Sequence, residues 1–122
     1  MGDGWETKRN RTPGNKDWVI VRLAHKGLIE KILVDTAHFK GNYPDSCLIE
    51  GCILPVKDEG KLNNDIVQWK TILPQSKLSA DYEHFFEEEI INKGPVTHVR
   101  LTIFPDGGVS RMRLWGRLSR EL

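Results

Sequence analysis

The run from Val96 to Arg117 restricts the fold more than any other stretch. Val99, Leu101 and Ile103 alternate with His98, Arg100 and Thr102. That period of two belongs to a strand with one buried face. Pro105-Asp106-Gly107-Gly108 follows, where proline fixes φ and glycine admits positive φ, so a turn is expected. The return run sets Met112 and Leu114 on one face and Arg111 and Arg113 on the other. The pattern predicts a β-hairpin with an apolar face and a cationic face of Arg100, Arg111 and Arg113. Such a face is either a solvated exterior or a contact for anions.

The rest of the chain repeats the strand pattern. Residues 18–24 alternate, His25-Lys26-Gly27 reads as a tight turn, and residues 28–36 alternate again. Residues 46–53 and 66–73 read as further strands, separated by a charged loop at 55–65 and followed by a connection at 74–81. Residues 82–91 fit either a helical face or a short strand through His84-Phe85-Phe86, and the surrounding pattern favours the strand. About seven strands with frequent turn signals predict an all-β fold, an antiparallel β-sandwich. At 122 residues the chain is expected to form one domain, 1–122, with 1–17 as an N-terminal arm and loop. Trp5 in that arm reads as a plug at the end of the core.

Composition excludes several classes of function. A formal net charge of +1 gives no global attraction to nucleic acid or to anionic membrane. No apolar run approaches the roughly 20 residues that span a bilayer. The first residues lack the basic and apolar regions of a signal peptide, and the last three are not Ser-Lys-Leu. Cys47 and Cys52 are five apart, so a single strand would send them to opposite faces as free, half-buried thiols. That usage fits an intracellular, reducing compartment, with cytoplasm and peroxisome both open. The four histidines are scattered, so no metal and no cofactor are expected. Gly107-Gly108 is not a phosphate loop, because no strand and helix flank it, and no Gly-x-Ser-x-Gly elbow occurs.

Polar residues crowd the end of the 28–36 strand: Asp35, Thr36, His38, Lys40 and Asn42. Three strings here resemble the allantoicase family. They are Gly4-Trp5-Glu6-Thr7-Lys8-Arg9, Val34-Asp35-Thr36-Ala37-His38-Phe39-Lys40-Gly41-Asn42, and the closing run His98–Gly116. They stand in the family's order, span nearly the whole chain, and look most like the second of that family's two tandem repeats. The resemblance implies a jelly roll of the galactose-binding-like type. It also implies hydrolysis of allantoate to ureidoglycolate and urea. Allantoate carries a carboxylate, suited to the fork of Arg, and two ureido groups, suited to carboxylate and amide partners. The candidate catalytic residues are Asp35, His38 and Glu6, since hydrolysis needs an activated water and a proton for the leaving nitrogen. The candidate substrate contacts are Arg9, Lys40, Asn42, Arg100 and Arg111. Asp35 also suits a turn cap, and His38 a hydrogen bond at the core edge. The departure from the family is length, because only one repeat is present. A second repeat or a homo-oligomer is the expected partner, and the lone chain is expected to be a poor enzyme. A non-catalytic jelly roll binding a small ligand or carbohydrate is the alternative, as is a purely structural half.

Overall fold

One strand organises the sheet. The computed structural model describes residues 5–6, 16–62 and 66–119. Within them β1 is Trp5–Glu6, β2 Asp17–Asp35, β3 Ser46–Cys52, β4 Lys70–Lys77 and β5 Glu83–Phe86. β6 is Val96–Phe104, β7 Gly108–Val109 and β8 Arg111–Leu118, and a 3-10 helix covers Val56–Lys61. The order is β4-β3-β6-β2-β5 with β8 also on β2, and β1 pairs separately with β7. Every pairing is antiparallel. The class is all-β, a nearly closed antiparallel sheet, and no helix is long and apolar enough to cross a membrane.

The two strands expected at 18–24 and 28–36 are one. The first part of β2 pairs with β6, from Asp17↔Ile103 to Arg22↔His98. The last part pairs with β5 on one side and β8 on the other. Gly27 lies where the strand changes partners, opposite both Val96 and Leu118. A Cβ there would come within 2.9 Å of the Arg117 carbonyl oxygen. Its glycine serves close backbone approach, not a turn. Glu30 is then skipped between Ile29↔Gly116 and Lys31↔Trp115, a bulge that reverses the alternation. Ile29 is buried before it, and Ile32 and Val34 after it.

The expected closing hairpin does not form. β6 pairs with β2 and β3, and β8 pairs with β2 alone. Between them β7 turns aside to meet β1. Arg100 and Arg111 therefore do not share a face. Arg100 lies beside Ile20 and Glu50, and Arg111 beside Asp35. The apolar half of the pattern survives, because alternation is local and partner choice is not. Val99, Leu101 and Ile103 are buried to 2% exposure or less. Each contributes about 1.5–3 kcal/mol by leaving water. They pack with Ile32, Val34, Ile49, Ile72 and Phe86 in one core.

Smaller differences have local causes. β4 starts at Lys70, not at residue 66, and runs through Pro74 into the expected connection. β5 confirms the strand reading of His84-Phe85-Phe86. Ser79 N–H donates to His84 Nε2 at 2.8 Å, so the proton sits on Nδ1, which donates to the Val34 carbonyl at 2.9 Å. His84 is thus a structural link between β5 and β2.

The cysteines are free, as expected, but both are buried, not half-buried. Burial pushes the Cys47 thiol up to about 12. It raises Cys52 too, against the pull of Arg100. Thiolate is the reactive form, so both should resist a thiol reagent in the native protein and react after unfolding in urea. Rapid modification of either under native conditions would contradict this packing.

Candidate functional site

The end of β2 gathers the polar strings. Asp35 is the last residue of the strand, flanked by Glu83 of β5 and Arg111 of β8. Its residue exposure is only 3%. Both of its carboxylate oxygens are engaged. Oδ1 accepts the Ala37 N–H at 2.8 Å, which makes it the cap of the turn that follows. Oδ2 accepts from Arg111 Nη2 at 3.2 Å. The same Nη2 reaches Glu83 Oε2 at 3.3 Å. One guanidinium therefore lies across two carboxylates.

The segment after Asp35 is held on three sides. Thr36, fully buried, donates from Oγ1 to the Ser79 carbonyl at 2.6 Å and accepts the Tyr82 N–H at 3.1 Å. His38 adopts φ 73°, and its N–H donates to Asp81 Oδ1 at 2.8 Å. That bond fixes the backbone and leaves the imidazole on an exposed residue. Lys40 is exposed as well. On the third side Ser110 donates from its N–H to the Asp35 carbonyl at 2.7 Å, and from Oγ to the Ala37 carbonyl.

The Pro-Asp-Gly-Gly string is a dock for this segment. Gly108 N–H donates to the Asn42 carbonyl at 2.8 Å. Gly107 has φ 133°, and a Cβ on it would stand 2.5 Å from the Tyr43 carbonyl carbon. A Cβ on Gly108 would fall 2.1 Å from the Phe39 ring. The two glycines let the backbones of 39–44 and 105–109 touch. β1 completes the cluster, with Trp5 opposite Val109 and Glu6 opposite Gly108.

The fold thus brings Asp35, His38, Lys40, Asn42 and Arg111 to one end of the sheet, with the backbone of Glu6. Arg9 lies outside the described residues. Arg100 stands apart, on the outer side of the β2–β6–β3 half, where Nη2 bonds Glu50 Oε1 at 2.8 Å. Sequence reasoning missed Glu83, Asp81 and Ser110. Their involvement depends on which strands neighbour β2, and no local pattern carries that. Among the described residues, no three His, Cys, Asp or Glu side chains are grouped to hold a metal ion.

A family model described as the allantoicase repeat matches residues 1–119. A probable allantoicase from Pseudomonas savastanoi pv. phaseolicola is 56% identical over 120 residues, covering 98% of this chain and 36% of that protein. One from Stutzerimonas stutzeri is 57% identical over 118 residues, covering 97% and 35%. The crystal structure of allantoicase from Saccharomyces cerevisiae superposes with a TM-score of 0.76 at 46% identity, covering 93% of this chain and 31% of that one. The chain spans about a third of the length of the curated relatives it matches.

Proposed function

The chain belongs to the allantoicase family, and on that footing we propose that it is one repeat of an enzyme hydrolysing allantoate to ureidoglycolate and urea in purine degradation. Residues 1–122 form a single repeat domain of the jelly-roll, galactose-binding-like type. The long β2, shared between both halves of an almost closed sheet, supports that reading. A second repeat, or another copy of the chain, completes the working unit. The two free cysteines favour a reducing compartment.

The observation that carries the proposal is the meeting, at the end of β2, of residues 35–42 with β7 and Arg111 of the closing string and with the backbone of Trp5–Glu6. In the reaction the bond between the central carbon of allantoate and one ureido nitrogen breaks. Water oxygen ends on that carbon as the hydroxyl of ureidoglycolate, and the departing nitrogen takes a proton to become urea. Asp35, His38 and Glu6 are the groups assigned to move those protons. Of the two whose side chains are described, Asp35 already makes bonds to Ala37 and Arg111, and the exposed His38 ring makes none to a described residue. Arg9, Lys40, Asn42 and Arg111 are assigned to hold the substrate; Arg100, engaged with Glu50 on the other half of the sheet, is not. Arg111 reaches a substrate carboxylate only while also serving Asp35 and Glu83, which demands its fork.

Calorimetric titration of allantoate into the Arg111→Lys variant tests this assignment. Lys has no planar fork, so affinity should fall about tenfold. The fold should survive, because Arg111 is 42% exposed and turned away from the core. Unchanged affinity in a folded variant removes Arg111 from the site.

A further inference from the structure

The outer side of the β2–β6–β3 half carries a groove that the cluster at the end of β2 does not use. We propose that this groove is a second small-molecule site, for a ureido or primary amide group, with the Arg100–Glu50 pair as its recognition edge.

The groove has a volume of about 300 Å³ and is lined by Lys16, Trp18, Leu48, Glu50, Arg100 and Thr102. Register explains the lining. Thr102 lies opposite Trp18 and Leu48, and Arg100 opposite Ile20 and Glu50, all on the side away from Val99 and Leu101. Its size is at the lower end of the range for small-ligand pockets, roughly 300–1,000 Å³.

Arg100 is held before any ligand arrives. Nε and Nη2 donate to the same Glu50 oxygen, Oε1, at 3.1 and 2.8 Å. The Trp69 ring covers the guanidinium, with Cζ 4.4 Å from the ring centroid. The two side chains keep only 26% and 16% of their exposure. A fixed guanidinium loses little rotamer freedom on binding.

What the pair leaves over defines the ligand. Both N–H bonds go to Oε1, and Oε2 makes no bond to a described residue, so it remains an acceptor. Nη1 makes no bond to a described residue, so it remains a donor. A donor beside an acceptor complements a group that presents C=O beside N–H. A ureido or primary amide group does so. A carboxylate has no donor for Oε2, and an ammonium has no acceptor for Nη1. The pair is neutral as a unit, so among the groove's lining residues only Lys16 offers an anion a net charge. Trp18, 50% exposed, adds a flat apolar wall for a planar group. Arg100 is thereby recast from an anion hook to half of an amide-reading pair. The choice of a ureide as the ligand rests on the proposed function; the donor–acceptor edge does not.

N-methylurea and acetate, titrated separately into the ¹⁵N-labelled chain and followed by NMR, test the site. N-methylurea should shift the Arg100 Nε–H and the Trp18 indole N–H saturably, and acetate should not. In the Glu50→Gln variant N-methylurea should bind about tenfold more weakly, because the acceptor loses its charge and the clamp on Arg100 loosens. Trp18→Ala, a change at a half-exposed position, should weaken it too and serves if Glu50→Gln fails to fold. Three results would overturn the proposal: shifts confined to residues 35–42, equal affinity in a folded Glu50→Gln variant, or a stronger response to acetate. The first leaves the proposed function standing and removes only this groove. Failure of the proposed function would instead appear as no urea release from allantoate by a protein carrying two repeats.

Discussion

Urea release from allantoate by this chain alone should be about a hundredfold slower per domain than by a polypeptide carrying two repeats. The chain closes its own core, with Ile32, Ile49, Ile72 and Ile103 fully buried. Folding is therefore not what limits it. Catalysis asks for more, because reacting groups must be held to about 0.5 Å. A misplacement of about 1 Å costs on the order of a hundredfold in rate. The cluster at the end of β2 is well fixed in its backbone but thin in unengaged side chains. Asp35 is spent on Ala37 and Arg111, and Arg111 is shared with Glu83. His38 and Lys40 are exposed, and no side-chain bond to a described residue aims them. A second repeat packed over this end would supply the missing walls. The assay is urea production by both proteins at equal domain concentration, with the short chain shown to be monomeric. Equal turnover would make each repeat a complete enzyme.

Gly107→Ala should cost about 3 kcal/mol of stability. Two effects add at that position. The backbone sits at φ 133°, where a side chain is strained by roughly 1–3 kcal/mol. The new Cβ would also meet the backbone of Tyr43 and Pro44 at 2.5–2.9 Å. Backbone does not yield as a flexible side chain does, and overpacking costs about 1–3 kcal/mol more. Against a total of about 5–15 kcal/mol, the melting temperature should fall by roughly 10 °C. Gly41 and Gly60 have nothing within 4 Å of a built Cβ, so alanine at either should change stability little. Because Gly107 docks the segment that carries Asn42, any ligand bound at the end of β2 should weaken with it. Thermal melts of the three variants decide the matter. A Gly107→Ala protein melting within about 2 °C of the parent would show that the 39–44 and 105–109 segments are not in tight contact.

Sequence and tertiary structure divide the protein between them along a physical line. Alternation is a property of neighbouring residues, so the buried faces of Val99, Leu101 and Ile103 are legible in the order of the residues alone. The all-β class follows from many such runs, and the family from three strings whose order needs no folding to read. Pairing is not local, and there the residue pattern misleads. Nothing in Pro105–Gly108 says that β8 will lie against β2 instead of β6, because a hairpin and a crossing use the same turn residues. His25-Lys26-Gly27 carries the chemistry of a turn, yet Gly27 is a crossing point where Arg117 comes close. A bulge at Glu30 then exchanges the two faces of β2, which no count of alternating residues anticipates. The arginines depend wholly on these choices. Local spacing places Arg100 and Arg111 side by side; strand pairing gives one to Glu50 and Trp69 and the other to Asp35 and Glu83. A charged side chain takes its role from whatever lies across the sheet from it, and only the assembled sheet determines what that is.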